Sequence, residues 1–157
     1  MTRTRIVSLL ALVVAIPAAA AAGSSFFSSA PQPCFMADTG AYRLSARGTA
    51  NYTIRIDNDA AQPDLRLQLV EDSAQADFVL VDDGDALDAC RDASFVKSVR
   101  VDAAAATPDM TVTLSKQASE GSHKIYVHSA NFTEQDAAAL FAAVWKSAHA
   151  RQSIARR

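Results

Sequence analysis

Short segments in which apolar and polar residues alternate recur through the central part of the chain. Apolar residues occupy every second position in segments 52–56, 65–69, 98–101, 110–114 and 124–128, and more weakly in 42–46. Successive side chains of an extended strand point to opposite faces, so this period of two predicts strands with one buried and one solvated face. Strands of this kind are typical of antiparallel sheets.

The segment Phe78–Val81, FVLV, breaks the alternation because it is apolar at every position and has acidic residues on both sides. Such a run predicts a strand that is covered on both faces, near the middle of a sheet. The connection before it, EDSAQAD at 71–77, is shorter than the dozen residues that a parallel crossover ordinarily needs. Segments 65–70 and 78–81 are therefore predicted to be either antiparallel neighbours or non-adjacent strands.

The C-terminal part of the chain predicts a helix that begins after Thr133. Thr133 and Asp136 are spaced as a capping box, with aspartate in place of the usual glutamate or glutamine. Apolar residues at helical spacing predict a face that packs on the sheet: Leu140, Phe141, Val144, Trp145 and Ala148. The predicted fold class is α+β, a mostly antiparallel sheet of about five or six strands with the C-terminal helix packed across one face. No internal repeat is recognised.

The N-terminus predicts export. Arg3 and Arg5 precede an apolar stretch at 6–16, and small residues follow at 18–23, as in a cleavable signal peptide. The predicted organisation is a signal peptide at 1–22, a linker at 23–33, a single α+β domain at 34–150 and a basic tail at 151–157. The predicted location is periplasmic or secreted. The alternative is an inner-membrane protein anchored by residues 6–22, which are just long enough to span a bilayer.

Two cysteines, Cys34 and Cys90, are the whole cysteine content of the chain. In an oxidising compartment an even pair outside any C-x-x-C pattern predicts a disulfide. Two free thiols are the alternative.

The acidic residues are concentrated in one stretch of the chain. Eleven of them lie between Asp57 and Asp92, against two arginines, and the whole chain has a formal net charge of -2. A general nucleic-acid binder would present a basic stripe, so this class of function is excluded.

The densest part of this stretch raises the question of a cation site. Asp82, Asp83 and Asp85 follow the FVLV run and are the candidate ligands of a metal such as calcium. The spacing fails the EF-hand pattern, because Val79 and Val81 occupy positions that need oxygen ligands. The favoured interpretation is that these aspartates form turns and keep strand ends soluble.

Other motifs predict neither a catalytic residue nor a cofactor. His123 and His128 are five positions apart on one predicted strand, so they point to opposite faces and cannot share a zinc ion. His149 is placed on the polar side of the helix. The chain contains no G-x-S-x-G, G-x-G-x-x-G or P-loop pattern.

With these residues in view, the chain resembles small uncharacterised exported proteins of proteobacteria. The likeness lies in the alanine-rich signal, in DSAQADFVLVDD and in the closing helix FTEQDAAALFAAVW. The segment ADFVLV is also similar to a strand of periplasmic α/β modules such as the TolB N-terminal domain. The resemblance implies an envelope location and interaction through a sheet edge or face. It transfers no catalytic residue.

The expected function is an exported non-enzymatic envelope protein, a binding module whose partner is another envelope protein. The expected contact with a membrane is limited to an uncleaved N-terminal segment, and segment 124–128 is the suggested binding edge. Two alternatives remain open at this point: a cation binder that uses Asp82, Asp83 and Asp85, and a small hydrolase with an unrecognised site.

Overall fold

The computed structural model describes residues 33–46, 48–82 and 90–155, so the predicted signal and most of the linker lie outside the described residues. The described residues form eight strands, one short 3₁₀ turn at Ser73–Gln75 and one long helix. The strands are β1 (Cys34–Ala37), β2 (Gly40–Leu44), β3 (Tyr52–Ile56), β4 (Leu65–Leu69), β5 (Phe78–Val81), β6 (Val96–Val101), β7 (Met110–Ser115) and β8 (His123–His128). The helix α1 spans Glu134–Ala155.

All eight strands belong to one mixed sheet in the order β1-β2-β6-β3-β7-β4-β8-β5. Only the β1–β2 hairpin is antiparallel, and every other neighbouring pair is parallel. The sheet curls into a half-barrel, and α1 is its one helix among the described residues. The prediction of a mostly antiparallel sheet with five or six strands is therefore wrong, although the α+β content is confirmed.

The length of the connections explains the error. Parallel neighbours joined by a helix need a dozen residues or more, whereas here residues 57–64 join β3 to β4 and residues 102–109 join β6 to β7. Eight extended residues reach at most about 29 Å. The connection must run back along the length of a five-residue strand, about 17 Å, and move sideways by two strand positions, about 10 Å. A crossover without a long helix is thus sufficient, and it places β4 and β5 in non-adjacent positions with β8 between them.

The strand order interleaves the two halves of the chain. From β6 to β5 the sheet alternates between a strand of the second half and a strand of the first half. The same spacing of residues appears in both halves: I-R-I-D at 54–57 and P-D-L at 63–65 return as V-R-V-D at 99–102 and P-D-M at 108–110, 45 positions later. These matching residues occupy corresponding positions, at the end of β3 and the start of β4 in the first half and at the end of β6 and the start of β7 in the second.

The helix lies on the concave face of the sheet and is enclosed by it. Six of its residues are completely buried: Ala137, Ala138, Ala139, Leu140, Ala142 and Ala143. They surround the helix instead of forming one stripe, which is the pattern of a helix buried on all sides. Inward-facing strand residues complete the core, the largest being Tyr42, Ile54, Leu67, Leu80, Val99, Val112 and Ile125. The predicted packing across a single face is thereby corrected to enclosure by a curled sheet.

Crossover connections lie on the opposite, convex face, where arginines anchor two of them. Arg100 of β6 donates to the carbonyl oxygen of Gly48 at 3.0 Å, in the connection that joins β2 to β3 and passes over β6. Arg55 of β3 donates to the carbonyl oxygen of Ala105 at 3.4 Å, in the connection that passes over β3. The molecule thus has three layers: helix, sheet and crossover connections.

Candidate functional sites

The predicted disulfide is present. Cys34 and Cys90 are joined, with their Cα atoms 5.8 Å apart, inside the usual range for such a bridge. Both residues are buried and form a small cluster with Ala41 on the convex side of the sheet. The bridge ties the start of β1 to the segment that precedes β6.

Of the three predicted cation ligands, only Asp82 belongs to the described residues; Asp83 and Asp85 lie outside them. The Asp82 carboxylate accepts hydrogen bonds from the Ser129 hydroxyl and, at 3.0 Å, from the side-chain amide of Asn131. It therefore holds the turn that precedes α1. Within the described ranges, no group of three His, Cys, Asp or Glu side chains is placed to hold a metal ion.

The histidines are separated as their spacing predicts. His123 faces the concave side, where its ring lies 5.8 Å from the ring of Phe141, while His128 is exposed at the end of β8. His149 stacks on Trp145 with ring centroids 3.7 Å apart and contacts the Trp145 carbonyl oxygen through Nδ1. Ring packing accounts for the positions of His123 and His149.

A polar cluster that sequence analysis missed connects the helix to the first edge of the sheet. The ammonium group of Lys97 donates to the Ser147 hydroxyl at 2.7 Å, the Thr39 carbonyl oxygen at 3.0 Å and the Tyr42 hydroxyl at 3.2 Å. Arg151 also donates to the Thr39 carbonyl oxygen, at 2.7 Å. The sequence feature that could have revealed this cluster is the position of Lys97. It lies on the inward face of β6 together with the apolar residues Val99 and Val101.

The electrostatics of this cluster act on Tyr42. Burial is the largest single influence and raises the pKa of the Tyr42 phenol. Hydrogen bonds from Ser147, Thr39 and Lys97, together with the Lys97 charge, outweigh burial and bring the pKa below its ordinary value of 10.0. The surroundings of the phenol, which include the positive charge of Lys97, therefore favour its ionised form.

A serine beside a lysine is also an arrangement used in nucleophilic catalysis. Here Tyr42 is fully buried, Ser147 is only 6% exposed, and all three N–H bonds of Lys97 have acceptors. A substrate has no direct approach to the Ser147 hydroxyl. The cluster consequently fixes the helix against the β1–β2 hairpin and β6.

Strand β5 is the last strand of the described sheet, and among the described strands it pairs with β8 alone. Its inward residues Phe78 and Leu80 join the core, whereas Val79 and Val81 point outward and are 43% and 54% exposed. The prediction that this strand is covered on both faces near the middle of the sheet is wrong. The suggested binding edge at 124–128 is also wrong, because β8 lies between β4 and β5.

The opposite edge strand, β1, comes close to β5 because the sheet curls. The ring of Phe35 in β1 lies 5.3 Å from the ring of Phe78, which in turn lies 4.9 Å from the ring of Phe141. On the outer face Met36 of β1 is 50% exposed. We call the outer surface formed by Met36, Val79 and Val81 along these two edges the seam.

Exposed large apolar residues are concentrated at the seam. Four such side chains occur in the part of the chain that the structure describes, and three of them are Met36, Val79 and Val81. The fourth, Phe95, directly precedes β6. Scattered apolar residues are ordinary on protein surfaces, but a concentration along unpaired strand edges is typical of an interaction surface.

Comparison of the chain with family models, with curated proteins and with solved structures gives no match. In residues 33–46, 48–82 and 90–155, the structure has no helix of the length and hydropathy needed to cross a membrane.

Proposed function

We propose that the protein is an exported non-enzymatic binding module that recognises an extended segment of another envelope protein along β5. The observation that carries this proposal is the combination of an edge strand with two outward, exposed valines, Val79 and Val81. An edge strand offers a row of backbone donors and acceptors to which an extended peptide can add as a further strand. The export signal predicted at 1–22 supports the envelope as the place of this interaction.

The residues of β5 favour its use as a binding edge, because they lack the features that usually prevent an edge strand from pairing with another chain. Soluble proteins usually protect edge strands with charged side chains, proline or a bulge inside the strand. In β5 the four residues are Phe, Val, Leu and Val, and the acidic residues Asp77 and Asp82 stand only at its two ends. The strand therefore keeps an apolar outer face available for side chains of a partner.

The two alternative functions receive less support. Asp82 already binds Ser129 and Asn131, which makes it a structural residue of the turn before α1. Ser147 and Lys97 form the arrangement nearest to a hydrolytic site among the described residues, and they are buried in a saturated polar cluster. No specific observation therefore favours a cation binder or a hydrolase.

The proposal is tested by affinity capture from the native envelope. Wild type is compared with a Val79→Lys, Val81→Lys double variant, and with Ser115→Lys at the exposed end of β7 as a matched control. Wild type and the control are expected to recover the same protein, and the double variant is expected to lose it while its melting temperature stays unchanged.

Hydrogen exchange locates the contact in the recovered complex. The partner is expected to slow exchange of the β5 amides. Failure of the wild-type chain to recover any specific protein, or equal recovery by the double variant, would refute the proposed function.

A further inference from the structure

We infer that the seam accepts a single strand that inserts between β5 and β1 and closes the half-barrel, and that this strand is basic at both ends. The inference rests on the proposed function and specifies the chemistry of its partner. It follows from three observations: the approach of the two edges, the residues that fill the space inside them, and the charges at the ends of β5.

The two edge strands approach each other without pairing. Phe35 and Phe78 bring β1 and β5 into contact through their rings, yet β1 pairs only with β2 and β5 only with β8 among the described strands. Each edge thus keeps backbone donors and acceptors directed away from its partner. One extended segment between them would satisfy both edges, and closure of a sheet into a barrel is the one arrangement that removes edges altogether.

The residues at the seam define which side chains an inserted strand can carry. On the inner side, the rings of Phe35, Phe78 and Phe141 contact one another beneath the seam. Inward side chains of a partner would have to pack on these rings, which favours small residues. On the outer side, Met36, Val79 and Val81 are exposed and can be covered by apolar side chains. The partner therefore alternates small inward residues with apolar outward residues.

The ends of β5 define the charge of the partner. Asp77 precedes the strand and Asp82 follows it. Lysine or arginine at the two ends of the partner segment would be complementary to these carboxylates. A second copy of the chain is disfavoured as the occupant, because antiparallel pairing of two β5 strands places Asp77 of one copy opposite Asp82 of the other.

Three synthetic peptides test this chemistry against the chain purified from the native envelope. The peptide KVSVAVK has the inferred pattern, EVSVAVE reverses its end charges, and KVFVFVK places bulky residues on the inward side. In fluorescence anisotropy, KVSVAVK is expected to bind, and each of the other two is expected to bind at least tenfold more weakly. The Val79→Lys, Val81→Lys variant is expected to lose binding of KVSVAVK.

Hydrogen exchange of the peptide complex distinguishes insertion from simple edge addition. Insertion is expected to protect amides of both β1 and β5, whereas protection of β5 alone would overturn the inference and leave the proposed function standing. Equal binding of all three peptides would also overturn it, even where affinity capture recovers an envelope partner.

Two further measurements, sedimentation of the free chain and hydrogen exchange of the free monomer, would reveal other occupants of the seam. A wild-type dimer in sedimentation that the double variant abolishes would assign the seam to a second copy of the chain. Protection of β1 and β5 amides in the free monomer would assign it to the chain's own residues. Either result would replace the inferred partner.

Discussion

Three aspartates hold the starting ends of neighbouring strands. Asp64, Asp77 and Asp109 each stand one position before a strand, and each carboxylate accepts the backbone N–H of a residue in the adjacent strand at 2.7 to 2.8 Å. The donors are Thr111, Lys124 and Thr53 respectively. Two of these aspartates belong to the acidic stretch from Asp57 to Asp92, so part of its acidity serves the architecture of the sheet.

Loss of one such contact should be measurable in stability. Asp64→Ala removes the acceptor of the Thr111 N–H and is expected to lower the free energy of unfolding by about 1 kcal/mol. Asp64→Asn keeps a side-chain oxygen and is expected to recover part of the loss. Asp59→Ala, at an exposed position, is the control for removal of a charge. Urea denaturation measures the three variants, and equal stability of Asp64→Ala and Asp59→Ala would contradict the capping role.

Tyr42 gives the stability of the protein a specific dependence on alkaline pH. Its pKa is lower in the folded protein than the ordinary value of 10.0, so between these two values the unfolded chain binds more protons than the native one. The Tyr42 contribution to stability therefore grows as pH rises toward 10 and is lost as pH falls through the folded-state pKa.

Tyr42→Phe is expected to remove this alkaline contribution. The difference in unfolding free energy between wild type and Tyr42→Phe should be larger at pH 9.5 than at pH 7.5, as measured by urea denaturation. Tyrosinate absorbance follows the ionisation, and Tyr126→Phe is the control for loss of a phenol on the outer face. A difference that stays constant or narrows with pH would contradict the role assigned to the Lys97 cluster.

At the scale of elements, the helix illustrates what the sequence could and could not predict. Its capping box is confirmed: the Thr133 N–H donates to the Asp136 carboxylate at 2.9 Å and the Asp136 N–H donates to the Thr133 hydroxyl at 3.1 Å. The stripe of large residues indicated only one packed face, because alanines do not contribute strongly to such a pattern. Here Ala137 to Ala139 are completely buried, since small side chains allow a curled sheet to approach the helix closely.

The tight enclosure of the helix predicts sensitivity to added volume. Ala138→Leu places three extra carbon atoms where no space remains, and it is expected to destabilise the protein by about 1 to 3 kcal/mol. Ala150→Leu, at an exposed position of the same helix, is the matched control and should have little effect. Thermal unfolding followed by circular dichroism compares them. A similar melting temperature for both variants would argue against enclosure.

The sequence pattern predicts the positions of the strands along the chain more accurately than their order in the sheet. Alternation at 52–56, 65–69 and 110–114 marked real strands, because it depends only on which side chains face the core. Order and direction depend on pairing between distant segments, which a period of two does not specify. The composition of the FVLV run predicts a buried strand in the middle of the sheet, whereas the exposure of its outer face results from its position beyond β8.

The candidate sites also differ in how far the sequence alone could predict them. The Cys34–Cys90 pair was predictable because only two cysteines exist and the N-terminus indicated export. The seam was not predictable, because Phe35 and Phe78 come together only through the curl of the sheet. Lys97 meets Ser147 through the packing of the helix, 50 positions away in sequence.

At the scale of the whole molecule, the interleaved order makes the two halves mutually dependent. Apart from the β1–β2 hairpin, every neighbouring pair of strands joins one strand before residue 82 to one strand after residue 95. The helix, which supplies the concave core, also belongs to the second half. Neither half therefore contains a sheet that it can form alone.

Cleavage of the chain between residues 87 and 88 tests this dependence. Each isolated fragment is expected to show no cooperative unfolding by circular dichroism, and a mixture is expected to recover the sheet, more readily when the Cys34–Cys90 bridge joins the fragments. A cooperative transition in either fragment alone would contradict the interleaved topology.

The interleaving also sets an order of events during synthesis. Strands β3, β4 and β5 are completed before the strands that pair with them, because β6, β7 and β8 lie in residues 96 to 128. Of the first five strands, only β1 and β2 can pair with each other at that stage. The sheet then closes by insertion of later strands between earlier ones. A chain built in this way stays open until its last third has been made. Such late closure of the sheet is compatible with the proposed export, in which an unfolded chain is threaded through a translocation channel.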